Sequence, residues 1–253
     1  MRKLFGMQFM RTGQGSFLFC RGLRLSPEAQ EREGLLNCAV WLSERVTHDD
    51  PWSALKRILR RNSSQPRRDA MTIASNLGLV LQGMRQGLRG GVIPRRLEGL
   101  ELNCTVEQRP DPDSRVVLSN RVDRHGVPLS RIDWRVNSHE QHTVRRTAKL
   151  VAMECARLGA PTPVLDEWVR DEAPFPPSFQ DVAHHMGTTR MSARPSDGVV
   201  DADCQVHGIR GLYVSGSSVF PTVGHANPTQ MIVALAIRLA DTLKQRAALE
   251  RAA

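Results

Sequence analysis

Apolar and polar positions follow two different periods along this chain. From Leu102 the period is two. Leu102, Cys104 and Val106 fall on one side, and Asn103, Thr105 and Glu107 on the other, the alternation of a strand with one covered face. Arg115–Leu118 and Leu129–Val136 read as further strands. Pro110-Asp111-Pro112-Asp113 is a turn, and Asp123-Arg124-His125-Gly126 is a hairpin-like connection. These strands are expected to form an antiparallel sheet. The compact apolar run Leu35 to Leu42, with Val40 and Trp41 inside it, predicts a buried strand.

Elsewhere the period is helical. Ser26-Pro27-Glu28 opens a short helix, with Ser as cap and Pro at the first position, and Gly34 ends it. Asp50-Pro51 opens another, with Trp52, Leu55, Ile58 and Leu59 on one face and Lys56, Arg57 and Arg60 opposite. Residues 62–69 are polar and contain Pro, which predicts a surface loop. A helix from Met71 to about Arg89 follows, ended by Gly90-Gly91 and Pro94. Ser138 opens the clearest helix, with Gln141 at the capping-box spacing. Val144, Ala148, Val151, Cys155 and Leu158 share its apolar face, and Gly159 closes it. A Pro-rich loop runs from Pro161 to Pro177. The last helix runs from Pro228 to about Leu249, with Asn227 as N-cap and Ile232, Leu235, Ala236, Leu239 and Leu243 facing inward. Residues 1–25 have no strong period, and Gly13-Gln14-Gly15-Ser16 reads as a loop. The fold class is α+β: an antiparallel sheet with helices.

Composition narrows the function classes. The 253 residues are 40% hydrophobic and 24% charged, as in an ordinary globular protein. The net charge of +9 raises the question of nucleic acid. The arginine excess sits mainly at Lys56–Arg68 and Arg85–Arg96. It has no interleaved aromatics and no nucleic-acid-binding motif, so it reads as a solvated face and no nucleic-acid partner is expected. The five cysteines have no C-x-x-C spacing. That excludes a zinc ribbon and predicts reduced thiols in a cytoplasmic protein. No run reaches the ~18–20 apolar residues of a membrane span. Met1 to Arg11 has only a short apolar part, broken by Gln8, and reads as ordinary chain.

About fifty residues near the end are poor material for a core and good material for a site. They run through His184-His185-Met186-Gly187-Thr188-Thr189-Arg190-Met191, Gly198-Val199-Val200-Asp201, Gly211 to Thr222, and His225-Ala226-Asn227-Pro228-Thr229. Glycine-rich loops let backbone N–H groups approach a ligand. Adjacent residues of an extended segment point to opposite sides, so His184 and His185 are not a metal pair, and no metal site is expected. One of them pointing into a pocket would serve as acid or base. Asn227 can both cap the last helix and face a ligand, because a helix N-terminus offers unpaired N–H groups and partial positive charge. His225 is either pocket-facing or merely exposed. Ser215-Gly216-Ser217 follows the apolar Leu212-Tyr213-Val214, a common setting for phosphate or cofactor contact.

The ordered set His184-x-x-Gly187-Thr188-x-x-Met191, Gly198-Val199-Val200-Asp201, Val206-His207-Gly208, Leu212-Tyr213-Val214-x-Gly216-Ser217, Pro221-Thr222 and Asn227-Pro228, ending in Ala234-Leu235-Ala236-x-Arg238-x-Ala240-Asp241, resembles the C-terminal region of the glucose–methanol–choline (GMC) family of FAD-dependent alcohol oxidoreductases. Upstream, Ser114-Arg115-Val116, Asp123, Gly126-Val127-Pro128 and the helix 138–158 resemble that family's substrate domain. The resemblance implies that His184 takes the alcohol proton while hydride passes to the flavin. It implies that Asn227 orients the substrate hydroxyl and that Ser215-Gly216-Ser217 touches the FAD diphosphate. Ser215 stands where the family usually has an acidic residue. Asn227, Pro228 and Thr229 would face the flavin's pyrimidine end at the start of the last helix.

A GMC enzyme also grips the ADP half of FAD with a strand, a G-x-G-x-x-G turn and a helix. These 253 residues contain no such turn. The resemblance is to the C-terminal half of the enzyme. Residues 1–180 correspond to part of the substrate-binding domain. Residues 181–253 correspond to the flavin-facing segments and a helix that would complete a Rossmann-like FAD domain. The expected partners are an alcohol and a separate N-terminal FAD-binding half, with weak or no FAD binding by this chain alone. The alternative is a non-catalytic remnant or binding protein that retains the substrate-domain fold.

Overall fold

A computed structural model describes residues 8–12, 15–19, 22–88, 93–170, 173 and 179–252. In chain order the elements are β1 (Gln8–Thr12), β2 (Gly15–Phe19), β3 (Leu23–Arg24), α1 (Pro27–Glu33), β4 (Cys38–Val46), α2 (Pro51–Leu59), α3 (Pro66–Ala74), α4 (Leu77–Leu88) and β5 (Leu97–Val106). They continue with β6 (Arg115–Val122), β7 (Pro128–Asp133), α5 (Ser138–Arg157), α6 (Glu167–Arg170) and α7 (Thr229–Ala252). Helices with small antiparallel sheets make this an α+β chain. It divides into two compact units: Met1–Arg24 with Ala39–Cys104, and Leu25–Cys38 with Thr105–Ala253. The helix end expected at Gly90-Gly91 lies outside the described residues, as do Met1–Met7, Gly13-Gln14, 171–172 and 174–178.

In the first unit β1 pairs antiparallel with β2, a hairpin that the weak periodicity of residues 1–25 does not predict. A second sheet has the order β3-β4-β5. β4 is its middle strand, and Val40 is 2% exposed. The strand expected over Leu35–Leu42 starts later, at Cys38, and runs on to Val46. β5 contains the predicted strand, but Leu102 to Val106 are half-buried on both faces. Asn103 is covered because its amide donates to Ser43 Oγ at 2.7 Å.

Asp50 caps α2 as its position predicts, accepting from Ser53 N at 2.8 Å. It also accepts from Arg96 N at 3.0 Å and Arg95 at 3.2 Å. Burial pushes this carboxyl up, but the Arg96 and Ser53 N–H bonds and the Arg95 charge outweigh it and hold the pKa below the usual range. Pro51 and Ala54, rather than Leu59, are the buried residues of α2, and Leu59 is exposed.

The expected loop 62–69 ends early, because α3 starts at Pro66. The single helix expected from Met71 is two helices. Ser75 Oγ bonds Met71 O at 2.7 Å and Asn76 Nδ2 bonds Thr72 O at 2.8 Å. These side chains compete for the last-turn carbonyls and end α3 there.

In the second unit α1 follows the sequence reading. Ser26 Oγ accepts from Ala29 N, and Gly34 at φ 62 takes the left-handed cap. β6 and β7 form an antiparallel hairpin of their own. They are not joined to β5, which corrects the expectation of one sheet. The turn is local chemistry: Asp123 Oδ1 accepts from His125 N at 2.8 Å and Val127 N at 3.0 Å.

The capping box of α5 sits one residue earlier than expected. Asn137 is the N-cap, and its N–H donates to Glu140 Oε2 at 2.7 Å. The buried face of α5 is Glu140, Thr143, Val144 and Thr147, whereas Leu158 is exposed. These polar groups are satisfied from afar, Glu140 by Arg109 N and Thr143 Oγ1 by Leu36 N. That second bond, with Leu35 N on Gln30 O, takes up the N–H groups of residues 35 and 36 and explains the late start of β4.

The sequence reading expects one region over 1–180 and another over 181–253; residues 105–180 of the first and all of the second fall in one unit. Hydrogen bonds run between them, as from Gly224 N to Glu107. No helix of the described residues is long and apolar enough to cross a membrane. Among the described residues no cysteine is in a disulfide.

Candidate functional site

The glycine-rich stretch folds as stacked loops over a small core of Val200, Cys204, Val219, Phe220 and Leu239. Met186, Met191, Val206, Tyr213, Val214, Ile232 and Leu235 pack against it. Residues 184–191 run beside the 3-10 turn Ser217–Val219. Gly187 N, Thr189 N and Met191 N donate in turn to Ser217 O (3.2 Å), Ser218 O (2.9 Å) and Val219 O (2.9 Å). Side chains repeat the link: Ser217 Oγ donates to His185 O at 2.8 Å, and Thr189 Oγ1 donates to Ser218 Oγ at 2.8 Å.

His184 is half-buried and His185 exposed, the difference expected of neighbours on an extended segment. Ala183, immediately before, has φ 56, and its N–H is held by Asp181 at 2.7 Å. Ser215 is exposed, and Gly216 has φ 123, a region that favours glycine. Leu212-Tyr213-Val214, read from the sequence as a strand, makes only a bridge from Tyr213 to Gln205.

Asn227 is exposed, and Pro228 behind it is buried. The first helical bond of α7 runs from Ile232 N to Pro228 O at 2.9 Å. Pro228 therefore holds the cap position and Asn227 precedes it, a correction of one residue. The N–H groups of Thr229, Gln230 and Met231 have no intrahelical acceptor. Met186, two residues after His184, and Ile232, three after Thr229, pack against the core that holds Val219, two residues after Ser217.

Other parts of the motif are scaffolding. Asp201 Oδ1 accepts from Asp203 N and Gln205 N, each at 2.9 Å, and shapes a tight turn. A Cβ on Gly198 would overlap the Arg190 carbonyl and lie 2.8 Å from Ser192 Cβ. Arg246 on α7 donates to Tyr213 Oη at 2.6 Å and Gln205 Oε1 at 3.1 Å, and it pairs with Asp203 at 2.6 Å. Among the described residues no group of three or more His, Cys, Asp or Glu is placed to hold a metal ion.

Sequence reasoning did not find Asn37 and Glu107. His225, half-buried, has Nδ1 2.9 Å from Asn37 Oδ1. Asn37 is the polar residue in the apolar run Leu35–Leu42, and that was its only signal.

Comparison with known proteins shows the family. The profile of the family described as GMC oxidoreductase matches residues 110–236, half of the 253. The chain belongs to the GMC oxidoreductase family. It is 34% identical over 152 residues to the C-glycoside 3-oxidase of Arthrobacter globiformis, a match covering 58% of this chain and 27% of that protein. It is 27% identical over 194 residues to the fructose dehydrogenase large subunit of Gluconobacter japonicus (75% and 32%). It is 31% identical over 163 residues to the paromamine 6'-oxidase of Streptomyces fradiae (63% and 27%). The matches thus span between a quarter and a third of the lengths of these relatives.

Proposed function

We propose that this chain forms the C-terminal part of an FAD-dependent oxidoreductase acting on a CH–OH group of an alcohol or sugar-like substrate. The observation that carries the reading is the hydrogen-bonded register of residues 187–191 on Ser217–Val219. It ties two separate motif segments together, the one that carries His184 and the one that carries Ser215–Ser217. The relatives named above are oxidases and a dehydrogenase, which favours this reading over a non-catalytic remnant.

FAD, when bound, accepts the hydride. The chain's residues prepare the substrate. His184, half-buried, takes the hydroxyl proton on its imidazole ring as general base. Asn227 has both a donor and an acceptor and orients the hydroxyl from the loop before α7. Asn227, Pro228 and Thr229 lead into an N-terminus whose unpaired N–H groups stabilise negative charge on the flavin's edge. Ser215, Gly216 and Ser217 offer hydroxyls and close backbone approach to the diphosphate.

The ADP half of FAD needs an element from outside these residues, and α7 completes a Rossmann-like domain with it. Support comes from α7 itself. Its Leu239 is 9% exposed, but Val233 and Ile237, one turn apart, are each more than 50% exposed, an apolar pair left open among the described residues.

The test is rapid-mixing flavin reduction in a complete enzyme that contains this chain. Reduction by a CH–OH substrate, lost with His184→Ala and retained with His185→Ala, supports the reading. Equal rates for the wild type and His184→Ala would refute it.

A further inference from the structure

Asn37 and Glu107 converge on the loop just before Asn227. Asn37 and Glu107 are joined through the backbone, Glu107 N donating to Asn37 O at 2.8 Å. Their side chains then hold two consecutive residues. Glu107 Oε1 accepts from Gly224 N at 3.3 Å, and Asn37 Oδ1 lies 2.9 Å from His225 Nδ1. Gly224 has φ 70, a left-handed turn that favours glycine. The base is firm, because Leu36 N donates to Oγ1 of the buried Thr143. Beyond the clamp only Ala226 separates His225 from Asn227, and the next residue is the buried Pro228, with its restricted φ.

We propose that Asn37 and Glu107 are positioning residues: they clamp Gly224 and His225 and so set where Asn227 presents its amide. The chemistry of the clamp fixes more than place. A carbonyl oxygen only accepts, so His225 meets Asn37 Oδ1 with Nδ1–H. The neutral ring therefore keeps its lone pair on Nε2. His225 is thus held as a single tautomer beside the site rather than rotating freely. The inference deepens the proposed function and rests on the reading that Asn227 orients the substrate hydroxyl.

The tautomer is open to measurement without any flavin. Long-range ¹H–¹⁵N spectra of the labelled 253-residue chain should show neutral His225 protonated at Nδ1. Asn37→Asp keeps an acceptor and should keep that tautomer; Asn37→Ala should lose it. Glu107→Ala should speed hydrogen exchange at Gly224 N, and Glu107→Gln, which retains a carbonyl, should largely restore it. An Nε2–H ring in the wild type, or spectra unchanged by Asn37→Ala, overturns the clamp. In the flavin-loaded complete enzyme, Asn37→Ala should slow flavin reduction roughly 10- to 10²-fold, the scale for misplacing a group near the reacting bond, and Asn37→Asp should recover most of the rate. A tautomer lost with the rate unchanged overturns the link to Asn227. A wild-type enzyme that reduces no flavin overturns the proposed function instead, and the tautomer still decides the clamp.

Discussion

Ser217 Oγ donates to the carbonyl of His185 at 2.8 Å. Thirty-two positions separate the two residues, and the bond ties the segment that carries His184 to the turn that follows Gly216. Ser217→Ala removes a donor and leaves the carbonyl half-satisfied. The expected loss is about 0.5–1.5 kcal/mol of stability, measured as a shift in urea midpoint at unchanged m-value.

His184 and His185 are separable by kinetics. Removing a general base typically costs ~10²–10⁴-fold. In a complete enzyme His184→Ala should slow flavin reduction by that factor, and His185→Ala, at the exposed position, by much less. Asn227→Ala should fall between them. Because Pro228 rather than Asn227 holds the cap position, Asn227→Ala should leave the thermal midpoint nearly unchanged. A large drop in midpoint would return Asn227 to a capping role.

Asp69 makes the first unit sensitive to acid. Hydrogen bonds from Arg57 and then Ser63 lower its pKa from the usual 3.8 to about 2. A depressed carboxyl stabilises the fold above its unfolded pKa, and that contribution fades as pH falls through the folded value. The window lies between about 4 and 2. Stability should therefore fall more steeply with acid over that window in the wild type than in Asp69→Asn. Parallel slopes would remove Asp69 as the cause.

Gly198 has no room for a side chain. The Arg190 carbonyl that a Cβ would meet is already engaged by Val199 N at 2.8 Å and cannot retreat. Gly198→Ala should cost about 1–3 kcal/mol, the usual penalty of overpacking, read as a lower thermal midpoint. The neighbouring Asp201 turn should loosen with it, visible as faster amide exchange at Asp203 and Gln205.

The 253-residue chain by itself should carry little FAD. Half a cofactor site leaves most ligand contacts unmade while the cost of immobilising the ligand remains. The visible spectrum of the purified chain decides this, and a stoichiometric yellow protein would contradict it.

The sequence alone determined the features decided within four residues. The Ser26 and Asp50 caps, the Asp123–Gly126 turn and the left-handed Gly159 are local bargains between a side chain and its own backbone. The order of the GMC motif was legible for the same reason, since each element is a short run of residue types. Tertiary structure decided the rest. The buried face of α5 is polar because Glu140 and Thr143 find Arg109 N and Leu36 N, and no periodicity count anticipates partners from so far away. β5 went to β4 rather than to the β6–β7 hairpin, a choice between edges that alternation in one strand does not make. Asn37 meets His225 across 188 positions. A buried polar group takes whichever partner the fold brings to it, and only the folded chain names that partner.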